Sequence, residues 1–191
     1  ASSAASDVYK RQVVEMVDKL RDTTQSHDRC SVVEVMGRGA GYIALNAGIA
    51  CGATYVITSE IPYDLDKVAK KMLESRKTGK QHFIIVVSEG VGHSDEIART
   101  LQDKTGIEAR TTILGHVQRG GAPTVRDRVV ASQMAYYAVE LLSQGIGNRV
   151  VGMQNSKIVD FDIQEALSMK KPFEEELYLS LIHISEPTRR S

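Results

Sequence analysis

The chain has 191 residues, 42% hydrophobic and 25% charged, with a formal net charge of zero. That balance belongs to a globular protein of one domain or a tightly joined pair. A neutral chain with no Trp and three Phe offers neither the charge nor the stacking platforms that nucleic acid requires, so no nucleic-acid partner is expected. Its apolar runs are too short for a bilayer span, and Cys30 and Cys51 lie in apolar stretches without CxxC spacing. The expectation is a cytoplasmic protein with reduced thiols, no membrane partner and no signal peptide.

In chain order, residues 1–6 read as structureless, and residues 31–36 as a strand entering the glycine-rich turn 37–41. Residues 42–51 are small and suit a closely packed helix, and 54–59 form the next strand. Asp64 reads as the N-cap of a helix with Leu65, Val68, Ala69, Met72 and Leu73 on one face and Gly79 after its end. Residues 82–88 are the most apolar strand, suited to a sheet covered on both faces. Ser94 is expected to cap a short helix through Leu101 that Gly106 ends, before a strand over 109–114. Pro123 stands near the start of a long helix, 124–143, carrying Val130, Met134, Ala138 and Leu141. Residues 149–154 and 157–160 form a strand pair, Asp162 or Ile163 opens a last helix, and 185–191 are a polar tail.

Strands alternating with helices at this rhythm predict an α/β fold, a Rossmann-like parallel sheet with helices on both faces. Ligands of such folds bind outside the carboxyl ends of the strands. The turns at Gly37-Arg38, Glu89-Gly90 and 116–121 are expected there. Arg110, His116 and Arg119 read as cations gathered at the end of the fourth strand, with Gly120 and Gly121 allowing close backbone approach, which suits a phosphorylated small molecule. Taken singly, Arg38 reads as a solvated turn residue, Glu89 as a helix-capping acid and His116 as a satisfied turn histidine. The 37–41 turn lacks the full dinucleotide-loop pattern. His27, His82, His93 and His183 show no zinc spacing, so no metal site is expected. Arg126-Asp127-Arg128 reads as a solvated helix start in which Asp127 could orient Arg119.

Arg21-Asp-Thr-Thr with Ser26-His27, the run 29–38 (RCSVVEVMGR), Ser88-Glu89-Gly90, the run 114–121 (LGHVQRGG), Asp127-Arg128 and the run 151–155 (VGMQN) carry a resemblance. Over residues 13–177 the chain resembles the C-terminal portion of bacterial ATP-dependent 6-phosphofructokinases. The resemblance implies phosphoryl transfer from ATP, with Mg2+, to the 1-hydroxyl of fructose 6-phosphate in glycolysis. It places Met36, Gly37 and Arg38 at the sugar-phosphate site, with Arg38 facing the transferring group. Glu89 would accept from sugar hydroxyls. His116 and Arg119 would hold the sugar's own phosphate, with Val117 and Gln118 also among the substrate-binding residues. Arg29 and Arg110 would reach a neighbouring subunit's site in a homo-oligomer, a tetramer. Arg21, with Lys80 and His82, would belong to an effector pocket, and Thr54 and Thr78 stand where better-known relatives carry an acidic residue and a lysine.

By the same resemblance, residues 13–117 form the fructose 6-phosphate-binding domain. Residues 118–168 return to an ATP-binding domain whose remainder lies outside this chain, and 169–180 form a C-terminal helix. The family's glycine-rich phosphate loop, catalytic aspartate and metal-linked aspartate lie upstream of the matched segment. No residue here stands in for them, so the general base and the Mg2+ ligands are expected outside the chain. Residues 7–12 and 181–190 resemble translated sequencing-adaptor runs, so 1–12 and 181–191 are expected to be non-native. Pyrophosphate as the donor, or a non-catalytic sugar-phosphate or nucleotide-binding module, are the alternative readings.

Overall fold

The computed structural model describes residues 4–24, 29–169 and 172–184. They fall into two compact units, residues 9–120 with 173–191, and residues 1–8 with 121–172. Ser26 and His27 lie outside the described residues, as do 1–3 and the tail 185–191.

The larger unit is built on four parallel strands, β1 (Arg29–Val35), β2 (Tyr55–Ile57), β3 (His82–Ser88) and β4 (Glu108–Ile113), in the order β2-β3-β1-β4. Side chains alternate across a strand, so β1 sends Val33 and Val35 to one face and Cys30 and Val32 to the other. The first face is covered by α1 (Ala4–Thr24), α2 (Tyr42–Ala50) and α7 (Glu175–Ile184), through Val13, Val17, Ile43, Ala47 and Leu181. The second is covered by α3 (Leu65–Lys77) and α4 (Ser94–Thr105), through Val68, Met72, Ile97 and Leu101. This is the α/β architecture expected from the alternating pattern. Phe83, Leu45, Ile57, Met72 and Ile85 are fully buried, and each such side chain stabilises by about 1.5–3 kcal/mol.

Asp64 caps α3, its Oδ1 accepting from Asp66 N at 2.9 Å, and Gly106 ends α4 in the left-handed conformation at φ 67. Ser94 does not cap α4, because the N-cap is His93 at φ 56 and the Ser94 hydroxyl donates instead to Glu34. The first six residues are not all structureless, since α1 begins at Ala4 and runs through the stretch 7–12. Its Val13 and Val17, one turn apart, are both fully buried. The last helix starts at Glu175 rather than 169 and continues past 180, with Leu181 buried in the core. Burial pushes the Cys30 thiol up to about 12 and Cys51 up to about 11, and neither is paired in a disulfide.

The smaller unit holds α5 (Val125–Ser143), the antiparallel pair β5 (Arg149–Gln154) and β6 (Lys157–Asp162), and α6 (Ile163–Ser168). Thr124 and Asp127 close a capping box at the start of α5, so the Asp127 carboxylate accepts from Thr124 N at 2.7 Å. Tyr137 of α5 and Arg149 of β5 both donate to Asp160. Val130, Met134, Ala138 and Leu141 form the half-buried face of α5, while Val125, Val129, Tyr136, Val139 and Leu142 stand exposed.

Candidate functional site

In the larger unit the chain leaves β1 toward α2 on one face and leaves β3 toward α4 on the other. Adjacent strands whose following helices go to opposite faces open a crevice at their carboxyl ends. The turns after β1 and β3 therefore meet there. One Glu89 carboxylate oxygen, Oε1, accepts from Gly37 N at 3.1 Å and also from Arg38 N. Two successive backbone N–H groups aimed at one oxygen form a nest that favours negative charge. Arg38 is held at φ 52, a left-handed conformation unusual for a side-chain-bearing residue. Its side chain is exposed and makes no ion pair with a described residue.

Gly37 and Gly90 are required by space rather than by conformation. A Cβ at Gly37 would lie 2.3 Å from Ala40 O, and one at Gly90 would lie 2.7 Å from Arg38 O. The β3 turn thus backs directly onto the arginine loop. A second carboxylate, which the sequence reading did not single out, holds the far end of that loop, with Glu60 Oε1 accepting from Gly41 N at 2.7 Å.

After β4 the chain makes a short 3₁₀ helix, Gly115–Arg119. Gln118 points inward and is 1% exposed, and its Oε1 accepts from Met36 N at 2.7 Å. Gln118 and Met36 therefore brace the 3₁₀ helix against the end of β1, whereas His116, Val117 and Arg119 are exposed beside it. Thr58 Oγ1, Ser88 Oγ and Gln118 Nε2 are buried at these carboxyl ends with no partner among the described residues. Buried polar atoms without protein partners mark places where water or ligand completes the bonding. The crevice so combines an exposed guanidinium, a carboxylate at its floor, and a histidine and second arginine on the neighbouring strand end. It suits a polyol carrying a phosphate.

Arg29 and Arg110 are not part of this cluster. Arg110 is the third residue of β4, paired with Ser31, and Arg29 opens β1. Arg29 lies at the opposite end of the sheet, roughly 20 Å from the carboxyl end of β1, and Arg110 lies in the middle of β4, roughly 10 Å from its carboxyl end. Arg110 is the second residue of the run 109–114 and so stands near its start, away from the carboxyl end that carries His116 and Arg119. The pairing brings the two arginines onto one carboxylate. Arg29 Nη2 donates to Glu108 Oε2 at 3.0 Å and Arg110 Nε to Oε1 at 2.8 Å. Hydrogen bonds from Arg29 and then Arg110 hold the Glu108 carboxyl below its usual range.

Arg21, Lys80 and His82 also come together, lining a pocket of about 410 Å³ with Gly52, Gly79 and Gln81. Burial, then the nearby Arg21 charge, lowers the Lys80 pKa. His82 Nδ1 is buried without a described partner. Among the described residues no carboxylate lines the pocket. Thr54 is 1% exposed and Thr78 donates its hydroxyl to Ser75 O at 2.7 Å, and neither contributes to the wall. Among the described residues no group of three His, Cys, Asp or Glu could hold a metal ion.

The chain matches the family model described as "Phosphofructokinase" over residues 7–142. It is 52% identical over 172 residues to an ATP-dependent 6-phosphofructokinase of Clostridium botulinum, covering 90% of this chain and 54% of that protein. The chain thus spans about half the length of the curated relatives it matches. Among solved structures it is similar to phosphofructokinase from Saccharomyces cerevisiae, with TM-score 0.77 and 31% identity over 85% of this chain and 23% of that one. It is similar also to Pichia pastoris phosphofructokinase in the T-state, with TM-score 0.79 and 29% identity over 95% of this chain and 23% of that one.

Proposed function

Because the chain belongs to the phosphofructokinase family, we propose that it supplies the acceptor side of an ATP-dependent 6-phosphofructokinase. In a full-length protein carrying this stretch, the 1-hydroxyl oxygen of fructose 6-phosphate attacks the terminal phosphorus of ATP. The bond to ADP breaks and the hydroxyl proton passes to a base outside this chain. The observation that carries the reading is the crevice at the ends of β1, β3 and β4, where an exposed Arg38 stands over Glu89 beside His116 and Arg119.

His116 and Arg119 hold the 6-phosphate by charge-assisted hydrogen bonds. Glu89 Oε1 anchors the loop, which leaves Oε2 for sugar hydroxyls. Arg38 offsets charge on the oxygens of the phosphoryl group in transfer. Val117 flanks the phosphate from the same short helix. The ligands of the Mg2+ that accompanies ATP are read as lying outside this chain, so no step here runs through it. Arg29 and Arg110, which pair with Glu108 away from their own crevice, serve a neighbouring subunit's site in a homo-oligomer of the cytoplasm on this reading. Coupled measurement of ADP release by the full-length protein tests the reading. Strict dependence on fructose 6-phosphate and ATP is expected, whereas transfer from pyrophosphate alone would move the donor assignment.

The pocket of Arg21, Lys80 and His82 is an effector site for a small anion on this reading. A bound anion favours the charged form of Lys80, whose pKa is lowered. Anion affinity is therefore full below that lowered pKa and falls as pH rises through it. With Thr54 and Thr78 standing where better-known relatives carry an acidic residue and a lysine, activation by ADP is expected to be slight or absent. An ADP titration of the initial rate at subsaturating sugar phosphate checks this, and several-fold activation contradicts it.

A further inference from the structure

We propose that Glu60 is a positioning residue for phosphoryl transfer, fixing where Arg38 stands by holding Gly41 at the far end of the arginine loop. The inference rests on the acceptor-site reading above for its kinetic consequence, but not for its geometry. A side-chain-bearing residue in the left-handed region persists only where its surroundings over-determine it. Arg38 is such a residue, so the ties on its loop decide its place.

The loop is tied from two sides. On the β3 side Glu89 takes the N–H groups of Gly37 and Arg38. On the β2 side the Ser59 hydroxyl donates to Gly39 O at 3.3 Å and Glu60 Oε1 accepts from Gly41 N at 2.7 Å. Between them the loop closes on itself, Ala40 N donating to Gly37 O at 3.0 Å. Close approach on the β2 side is built in, because a Cβ at Gly41 would lie 2.5 Å from Thr58 Cγ2 and 2.8 Å from Glu60 Oε2. Gly41 is also the N-cap of α2 and has no side chain to cap it. The Glu60 carboxylate instead takes the N-cap residue's own N–H, as the acid of a capping box does, at the positive end of the helix. The two carboxylates differ in one respect. On the acceptor-site reading Glu89 shares its hydrogen bonds with the sugar, whereas Glu60 bonds the loop at its α2 end. Glu60 is thus the anchor that stays in place while substrate binds.

Two readouts test this. Amide hydrogen exchange of the present chain reads the geometry. Glu60→Ala is expected to speed exchange at Gly41 and Arg38 by tenfold or more, and Glu60→Gln, which keeps an acceptor oxygen, is expected to restore most of the protection. Kinetics of the full-length protein read the consequence. Glu60→Ala is expected to lower kcat on the order of 10-fold to 100-fold, the scale of a roughly 1 Å misplacement, with little change in KM for fructose 6-phosphate, and Glu60→Gln to recover most of the loss. Where Glu60→Ala unfolds the protein, as thermal denaturation reveals, Glu60→Asp withdraws the acceptor by one methylene and should give the same pattern. Unchanged Arg38 exchange, an unchanged kcat, equal losses in the Ala and Gln variants, or a KM rise matching the kcat fall would each overturn the proposal. A wild-type full-length protein without phosphotransfer would overturn the acceptor-site reading instead, and the exchange comparison still decides the role of Glu60.

Discussion

A protein consisting of this chain alone is expected to show no transfer of phosphate to fructose 6-phosphate, from ATP or from pyrophosphate. Phosphoryl transfer depends on positioning two substrates and on stabilising charge that develops between them. The acceptor crevice supplies one substrate site. Nothing among the described residues supplies a phosphate-cradling glycine loop for the donor, and the nearby carboxylates are committed elsewhere: Glu89 and Glu60 to the arginine loop, Glu34 to Ser94. Loss of the general base alone removes about 10²- to 10⁴-fold. Loss of donor positioning removes up to about 10⁵-fold or more, the effective-molarity advantage of a bound pair. The two together take turnover below the blank of a coupled assay. Protein prepared from a host lacking its own phosphofructokinase makes the measurement clean. Turnover above that blank, removed by Arg38→Ala, would show that the chain carries a donor site and a base of its own.

The parts of the molecule that were legible in the sequence are those fixed by local chemistry. β3 is seven residues with six fully buried, and no alternative to a central strand accommodates that pattern. Asp64 and Gly106 mark helix ends because a short acceptor side chain and a residue free to adopt positive φ are what those positions need. What was not legible depends on which strand lies beside which. Glu108 looks like an unremarkable surface acid until β4 is paired with β1, when it becomes the shared partner of Arg29 and Arg110. Arg110 is a different case, since its place near the start of the run 109–114 already separates it from the carboxyl end, and its grouping with His116 and Arg119 followed closeness in sequence rather than position along the strand. Glu60 had a signal that went unread. Ser59-Glu60 stands one residue past β2 and Ser88-Glu89 spans the end of β3, and both glutamates hold the same loop. A repeated Ser-Glu at successive strand ends marks two arms of one clamp. Ser94 misled because Ser before an apolar-periodic run is the usual capping pattern, and Glu34, from a strand distant in sequence, takes its hydroxyl instead.

Substitutions in the crevice of the full-length protein are expected to divide by the moment at which each cation acts. The 6-phosphate of the sugar carries the same charge before, during and after transfer. Groups that hold it bind ground and transition state equally, and their loss raises KM while leaving kcat nearly unchanged. Arg119→Ala and His116→Ala should therefore raise KM for fructose 6-phosphate by roughly 10- to 100-fold, the loss of one charge-assisted hydrogen bond. Arg38 differs in placement. It stands on the loop after β1 whose N–H groups bind Glu89, whereas His116 and Arg119 stand on the 3₁₀ helix after β4. Its guanidinium is free of ion pairs with described residues, so it is available to a charge that appears only as the phosphoryl group moves. Arg38→Ala should lower kcat on the order of 10²- to 10³-fold, as loss of one preorganised donor to a transition-state oxygen does elsewhere. Arg38→Lys should recover little, because an ammonium cannot reproduce the planar, two-point contact. Initial rates over both substrate concentrations separate the outcomes. If all three alanine variants alter kcat alone, the 6-phosphate does not sit at the 3₁₀ helix. If Arg38→Ala alters KM alone, the arginine loop holds the sugar phosphate instead, and the transferring group lies elsewhere.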